Sequence, residues 1–397
     1  MKKIKLILLI LPIFLISGCS NYRELNDIAI VSALGIDKSE NGYKMVVQVM
    51  NTKKEGQDTN SSGQQPKFTT YKTEGNTIQK MLRGTVLESP RRLYMSHMQL
   101  LIISEDLAKE SINDILDWFA RDSESRKQFY VLISRNDQTE EILNTLTAIE
   151  TLNSKKIVNN VNTDNRFLGV AEDTTFENIL SIYLNDKQEI LLPSIKTIGP
   201  TNEGEENSNI EQSSPDTKIL LAPMAVFKND KLVGYLTEEE SIAMSFIKNK
   251  IDTTIIEYKC NNEDYIASEI INSKTKLEVS SKGKNPELTI KINGSANINE
   301  INCHYNLEDH QVINKVENML NKKVEKMIKK SIKDINKKYN SDIYGFEDIF
   351  YKDDPKYYQK IKNNWSNGSY SDLNIKVISN IKLLEKGTIL KVIDHES

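Results

Sequence analysis

The sequence predicts an α+β protein of mixed α/β character, with two to three domains that each pack a mixed or antiparallel sheet against helices. Its 397 residues exceed what a single hydrophobic core usually holds. Short apolar runs of strand type alternate with segments whose apolar residues recur every three or four positions. The stretch 201–217 is rich in Ser, Asn, Glu and Pro, which predicts a flexible linker between an N-terminal domain (19–200) and a C-terminal region (218–397).

The N-terminal domain begins with a predicted β-hairpin. Residues 28–36 form an apolar strand, 43–49 alternate as its partner, and Asp37 to Gly42 supply polar turn residues. The next segments are a polar mobile loop, a strand and a helix, at 51–66, 68–73 and 76–87.

A strand–helix–strand pattern follows. Residues 98–103 are apolar, Ser104 is a suitable N-cap, and Glu105 and Asp106 stand at the positive end of the helix that follows. Residues 129–133 form the next strand, so this part predicts a βαβ unit, or an α+β layer if its strands are not neighbours. Two further helices are expected, at 139–150 and 175–184.

The C-terminal region opens on a second hairpin, with strands at 219–227 and 232–236. Thr237 and Glu240 have the spacing of a capping box, which predicts a helix start. The remaining predicted strands lie at 253–259, 275–281, 287–298 and 373–384.

The longest predicted helix spans 312–339, in a C-terminal region predicted to form one or two subdomains. Its apolar residues recur at three- and four-residue steps, and its other face is rich in lysine. The lysines are Lys315, Lys322, Lys323, Lys326, Lys329, Lys330, Lys333, Lys337 and Lys338. Two interpretations stay open: the apolar stripe packs on a sheet while the lysines face water, or the lysines lie on anionic lipid. The regularity of the stripe favours the first.

The sequence predicts a lipoprotein signal peptide over residues 1–18. Lys2, Lys3 and Lys5 precede an apolar run that is too short to span a membrane. Ile16-Ser17-Gly18-Cys19 then places small residues before a cysteine, so we expect cleavage between Gly18 and Cys19. Cys19 would become an S-diacylglycerol cysteine, with N-acylation also possible, and would hold the protein on the extracytoplasmic face of a membrane.

Composition and cysteine content limit the classes of function. The formal net charge is −4 and becomes more negative once residues 1–18 are removed, which disfavours nucleic-acid binding. With Cys19 alkylated, Cys260 and Cys303 remain; a single disulfide is possible, but their separation favours two buried, inert thiols.

No catalytic or cofactor motif is present in the sequence. GxSxG, HExxH, Walker and dinucleotide patterns are absent. The four histidines do not match a zinc spacing, so we expect no metal site. Adjacent acids such as Glu347-Asp348 and Asp353-Asp354 are typical of solvated turns. The residues therefore predict neither a cofactor nor catalysis.

Several blocks of the sequence resemble the Ger(x)C lipoproteins, the C subunits of nutrient germinant receptors in spore-forming bacteria. The blocks run in family order through 23–37, 92–97, 101–108, 225–234, 238–241, 342–346 and the Trp365 region. The motif positions that carry the likeness are Arg23, Glu24, Asp27, Gly35, Asp37, Arg92, His97 and Gly234. One departure is that Ser20 and Asn21 stand where the family has Trp and often Asp after the lipidated cysteine.

The resemblance implies a non-catalytic, lipid-anchored subunit that assembles with an A and a B membrane subunit in the spore inner membrane. It leaves open whether this subunit touches the nutrient. An alternative from another class is an extracytoplasmic solute-binding lipoprotein that feeds a transporter, which should show two lobes built from crossover strands. A third is a surface hydrolase that uses paired carboxylates.

Overall fold

A computed structural model describes residues 27–40, 42–51, 67–172, 174–280, 287–365, 370 and 373–384. Its first sheet has nine strands, and their central four run parallel. The strands are β1 (Ile28–Ser39), β2 (Gly42–Met50), β3 (Phe68–Gly75), β4 (Arg92–Tyr94), β5 (Leu100–Ser104), β6 (Tyr130–Ser134), β7 (Leu191–Ile198), β8 (Lys218–Lys228) and β9 (Lys231–Tyr235). Their order is β3-β2-β1-β5-β6-β7-β8-β9, with β4 beside the start of β1.

Helices cover both faces of this sheet. They are α1 (Ile78–Gly84), α2 (Glu105–Glu110), α3 (Asn113–Arg121), α4 (Thr139–Asn144), α5 (Asn153–Phe167) and α6 (Phe176–Asn185). The apolar residues of α1, α2, α3 and α6 share one core with one face of β1 and β5. Those of α4 and α5 pack on the opposite face. The parallel pairing of β5 with β6 confirms the predicted βαβ unit.

The helices of this half differ from the prediction in four respects. The helix after Ser104 is interrupted at Ser111, where the backbone is extended and the side chain bonds Asp230 in the turn between β8 and β9. The Ser104 hydroxyl makes no capping bond. The predicted helix 139–150 ends at Asn144, because the buried Asn153 amide donates to the carbonyls of Leu143 and Thr145 at 2.7 and 3.1 Å. The following helix, α5, was not predicted at all.

The segment predicted as a flexible linker is folded. Residues 201–217 contain two one-turn helices, α7 (Thr201–Gly204) and α8 (Ser208–Glu211), and connect the neighbouring antiparallel strands β7 and β8. The buried Asn209 amide donates to the carbonyls of Leu146 and Thr217 at 3.0 and 3.1 Å. The prediction of a flexible linker is therefore wrong, since these side-chain bonds fix a sequence of low hydrophobicity. The predicted loop 51–66 lies outside the described residues, except Asn51.

The second sheet is smaller and carries the long helix. Its strands are β10 (Thr254–Lys259), β11 (Tyr265–Ser280), β12 (Glu287–Ile301) and β13 (Asn374–Leu383), in that order, with only β12 and β13 parallel. Its helices are α9 (Glu238–Ile247), α10 (His310–Tyr339), α11 (Phe346–Asp353) and α12 (Pro355–Ile361). The capping box of Thr237 with Glu240 is present. Two helix-covered sheets, one mixed and one mainly antiparallel, confirm the predicted fold class.

The stripe of α10 packs on the second sheet, which confirms the first of its two interpretations. Val316, Leu320, Val324 and Ile328 are fully buried in its core. Lys322, Lys326, Lys329 and the lysines that follow them are exposed.

Cys260 and Cys303 form a disulfide, with their Cα atoms 6.6 Å apart. The expectation of two separate thiols is wrong. Pairing of β10 with β11 and of β11 with β12 brings the ends of β10 and β12 to the same end of the sheet. Sequence separation therefore gives no guide to their distance in the fold.

Side chains of α10 cover part of the free edge of β13. Glu317, Asn321 and Glu325 are four residues apart and so lie on one face of the helix. Asn321 accepts from the Ile381 N–H at 2.8 Å and donates to its carbonyl at 3.0 Å. Glu317 and Glu325 accept from the N–H groups of Leu383 and Ser379. The helix side chains thus form hydrogen bonds with backbone groups at the edge of β13 that would otherwise need a neighbouring strand as partner.

We predict that Asn321→Leu lowers the free energy of unfolding by about 1–3 kcal/mol, because the N–H and carbonyl of Ile381 lose their partner. Urea unfolding followed by circular dichroism measures this. Lys322→Leu, at an exposed neighbouring position, is the matched control. Equal stability of the two variants would show that the edge contacts contribute nothing.

Candidate functional site

The start of β1 opens onto a hollow at one end of the first sheet. Here β4 runs parallel to β1, with Ile28 opposite Arg92. The hollow has a volume of about 910 Å³ and is lined by residues that include Ile28, Arg83, Arg92, Tyr94, His97 and Trp118. We call it the β1-start hollow. It brings together two of the motif positions, Arg92 and His97.

Two motif residues that line the β1-start hollow, Arg92 and His97, are exposed. Arg92 meets Glu124 at 3.4 Å, and its side chain is about half exposed (47%). The rings of His97 and Tyr94 lie 5.8 Å apart. Such exposed ion pairs add little to stability. These side chains are therefore available to a partner.

Two exposed apolar side chains lie beside the β1-start hollow: Val86 lines it and Leu87 follows Val86 in the chain. After α1, the buried Thr85 hydroxyl donates to the Met81 carbonyl at 3.1 Å and fixes a turn. That turn leaves Val86 and Leu87 exposed by 55% and 91%. Adjacent exposed aliphatic residues beside arginines are typical of a contact surface with protein or membrane.

Gly35 and Asp37 lie towards the opposite end of β1 and position α4. Asp37 is 5% exposed and accepts from the Thr139 N–H and hydroxyl at 2.9 and 2.5 Å. Burial raises the pKa of Asp37, although both hydrogen bonds oppose the change. A Cβ at Gly35 would stand 2.3 Å from the Thr139 hydroxyl. The prediction of Asp37 as a turn residue is wrong, because β1 continues to Ser39.

Gly234 lies where the two sheets meet. A Cβ there would stand 2.5 Å from the Tyr339 ring, so glycine is needed for the close approach of β9 and α10. The Tyr339 hydroxyl donates to the Tyr235 carbonyl at 2.7 Å and accepts from the Tyr235 N–H at 3.1 Å. Tyr339 was not predicted as a functional residue. The sequence feature that could have marked it is an aromatic residue at the end of an amphipathic helix.

Asp342 is buried next to this contact. Its carboxylate accepts from the backbone N–H groups of Phe346 and Glu347 at 3.0 and 2.8 Å, and from the indole N–H of Trp365 at 3.2 Å. Burial raises its pKa to about 7, against the effect of these hydrogen bonds. A cavity of about 300 Å³ between the sheets is lined by Asp342, Trp365 and Asn229 among others. The motif blocks 225–234, 342–346 and the Trp365 region therefore converge here.

We call Gly234, Tyr235, Tyr339, Ser341 and Asp342 the seam. Ser341 joins it because its hydroxyl donates to the Phe227 carbonyl at 2.6 Å. Asp342 joins it because its backbone carbonyl accepts from the Glu189 N–H at 3.0 Å, just before β7. These contacts hold the first sheet against the second.

The remaining predicted positions are less informative. Asp27 is the exposed first residue of the described chain. Gly18, Cys19, Arg23 and Glu24 lie outside the described residues. Within the described ranges, no three His, Cys, Asp or Glu side chains are grouped as metal ligands. A search of the same residues finds no helix with the length and hydropathy of a membrane span.

We predict that Asp342 makes stability depend on pH. Its carboxyl binds a proton more tightly in the folded chain than in the unfolded chain, so its contribution is largest below pH 4 and declines as the pH rises towards 7. Between pH 5 and 7 the loss is about 2–3 kcal/mol. Chemical denaturation of the protein and of Asp342→Asn across this range should show a pH slope that is smaller by this amount in the variant. Asp353→Asn, at an exposed carboxylate, should keep the full slope; an undiminished slope in Asp342→Asn would refute the assignment.

Comparisons with known proteins cover both halves of the chain. Residues 21–197 match the sequence model of the spore germination protein N-terminal domain, and 222–387 match that of the spore germination B3/GerAC-like C-terminal domain. Spore germination protein KC of Bacillus subtilis (strain 168) is 28% identical over 396 residues, which is 98% of this chain and 97% of that protein.

Two further comparisons agree with these matches. Spore germination protein B3 of the same organism is 21% identical over 94% of this chain and 95% of its own. The crystal structure of the GerBC protein has the same fold, with a TM-score of 0.57 at 18% identity over 88% of this chain and 96% of that one. The order of motif blocks, the two matched domains and the shared fold agree: the chain belongs to the Ger(x)C family of spore germination proteins.

Proposed function

We propose that this protein is a lipid-anchored, non-catalytic subunit of a nutrient germinant receptor. In this proposal, Cys19 carries the lipid and holds the chain on the extracytoplasmic face of the spore inner membrane. There it assembles with the A and B membrane subunits. Membership of the Ger(x)C family supports the germination role, and the fold supports the arrangement at the membrane.

The short distance between Cys19 and β1 carries the proposal. Only nine residue steps separate Cys19 from Ile28, and extended chain covers at most about 3.6 Å per residue. The start of β1 would then lie within about 30 Å of the bilayer. The β1-start hollow surrounds this point, so its rim at Val86 and Leu87 would face the membrane or the membrane subunits.

The buried carboxyl groups have structural roles, which agrees with a non-catalytic subunit. Asp37 and Asp342 both accept backbone N–H groups that begin helices, so they hold the fold together. The alternative of a solute-binding lipoprotein requires a second lobe of crossover strands. In the described residues, the second sheet is a β10–β11–β12 meander with one parallel neighbour, which does not supply such a lobe.

We predict that Cys19→Ala releases the protein from the spore membrane fraction and abolishes the response to one nutrient. The thioether bond to lipid cannot form without the thiol. Fractionation of spores, with germination followed by loss of optical density, measures both effects. Ser20→Ala is the matched control and should behave as the unaltered protein. A Cys19→Ala protein that stays in the membrane fraction would rule out lipid attachment at this residue.

We also predict that Leu87→Glu reduces co-purification with the A and B subunits at least five-fold, without change in protein level. The side chain is 91% exposed, so the substitution affects a contact and not the core. Ile149→Glu is the matched control: that side chain is 97% exposed and lies between α4 and α5, on the other face of the sheet. Equal loss in both variants, or no loss in either, would exclude the β1-start hollow as the contact surface.

A further inference from the structure

The cover that α10 gives to the edge of β13 ends partway along the strand. The covered N–H groups belong to Ser379, Ile381 and Leu383, and they point away from β12. Because backbone groups alternate in direction along a strand, the N–H and carbonyl groups of Ile375 and Val377 point the same way. Neither of these two N–H groups has a hydrogen-bond partner among the described residues. The first part of the edge is therefore open to another strand.

A groove lies beside this open part of the edge. The α10 residues that cover the rest of the edge are four apart, and Lys329, Lys333 and Lys337 continue their row at the same step. The groove has a volume of about 660 Å³, and its lining includes these three lysines and the apolar side chains of Ile332 and Ile375. We call it the β13-edge groove. It replaces acidic and amide side chains, which bond the edge, with a row of cations.

The three lysines of the β13-edge groove are exposed and unpaired. None of them forms an ion pair with a residue in the described part of the chain. Other lysines close by do: Lys323 of the same helix meets Glu239 at 2.5 Å, and Lys382 of β13 meets Glu317 at 2.7 Å. Residues four apart on a helix are about 6 Å apart along its axis, so the three positive charges reinforce one another. Such a row favours an anionic partner.

An extended acidic segment fits the β13-edge groove better than a second copy of this chain. Pairing of two β13 edges about a twofold axis would place two α10 helices on the same face of the joined sheet. Their lysine rows would then lie side by side and repel each other. A foreign strand with carboxylate side chains meets both requirements, because it supplies main-chain partners for the edge and negative charge for the lysines.

We propose that the β13-edge groove binds an extended, acidic segment of a partner protein, which joins the second sheet as a further strand beside the start of β13. Carbonyl oxygens of that segment accept from the N–H groups of Ile375 and Val377, and its acidic side chains bind the lysines. In strand addition of this kind, main-chain bonds give affinity and side chains give specificity. The proposal goes beyond the receptor role. It concerns a surface that shares no lining residue with the β1-start hollow, and it does not depend on the lipid on Cys19.

Fluorescence anisotropy of labelled peptides, titrated with the purified full-length chain in detergent at low salt, tests the requirement for charge and for an extended backbone. The acidic probe is a short peptide in which glutamate and valine alternate, and the basic probe has lysine in place of glutamate. A third peptide keeps the glutamates but has proline in place of its central valine, which prevents strand pairing. We expect the acidic probe alone to bind, and more weakly as salt is added. Absence of that binding, or equal binding of either other peptide, would overturn the proposal.

Two charge reversals on α10 locate the binding. Lys333→Glu should weaken binding of the acidic probe at least five-fold. Lys330→Glu is the matched control, because Lys330 is also exposed and changes the net charge equally but does not line the groove. Binding unchanged in Lys333→Glu, or weakened equally by Lys330→Glu, would overturn the assignment. A Cys19→Ala protein should bind the probe as the unaltered chain does, which separates this result from the anchoring proposal.

Hydrogen exchange followed by mass spectrometry tests the backbone contact. The acidic probe should slow exchange at least five-fold in fragments that contain Ile375 and Val377, because their N–H groups gain acceptors. Fragments from β10, at the opposite edge of the sheet, should exchange as before and serve as the internal control. Unchanged exchange at the start of β13 while the probe is bound would show that the peptide does not join the sheet.

Discussion

The contact between Tyr339 and the backbone of Tyr235 is the interaction on which the arrangement of the molecule depends. One hydroxyl satisfies both the N–H and the carbonyl of a residue in the last strand of the first sheet. Tyr339 also ends α10, whose stripe is buried on the second sheet. The absence of a side chain at Gly234 lets the two elements approach. The rest of the seam extends this contact, because the chain that follows α10 turns directly against the first sheet.

This arrangement separates two surfaces along one strand. β1 has 12 residues, so its ends lie about 40 Å apart. The β1-start hollow is at one end, close to where a lipid on Cys19 would hold the chain. A crevice of about 730 Å³ lies at the other end, where Asp37 is among the residues that line it. A subunit built this way can meet membrane partners with one end of its sheet while the other end stays open to solvent.

The spacing of apolar residues predicted most helices and strands, but it did not predict the contacts between residues far apart in the chain. The hairpins and α10 follow from apolar spacing within a few residues, which the sequence contains. The mostly polar helix α5 was missed, because only Ile157, Val158 and Val161 pack its 15 residues against the core. The partners of Asp37 and Tyr339 are more than 100 positions away in the chain. No local pattern contains such pairs, and only the family resemblance marked Asp37 and Gly234.

Pulsed hydrogen exchange with mass spectrometry, at increasing urea, tests most directly whether the seam joins the two sheets into one cooperative unit. Peptides from β1 report on the first sheet and peptides from β12 on the second. The account predicts a common unfolding midpoint in the unaltered chain and separate midpoints in Gly234→Ala, whose added methyl group would displace Tyr339. Two separate midpoints in the unaltered chain would contradict it.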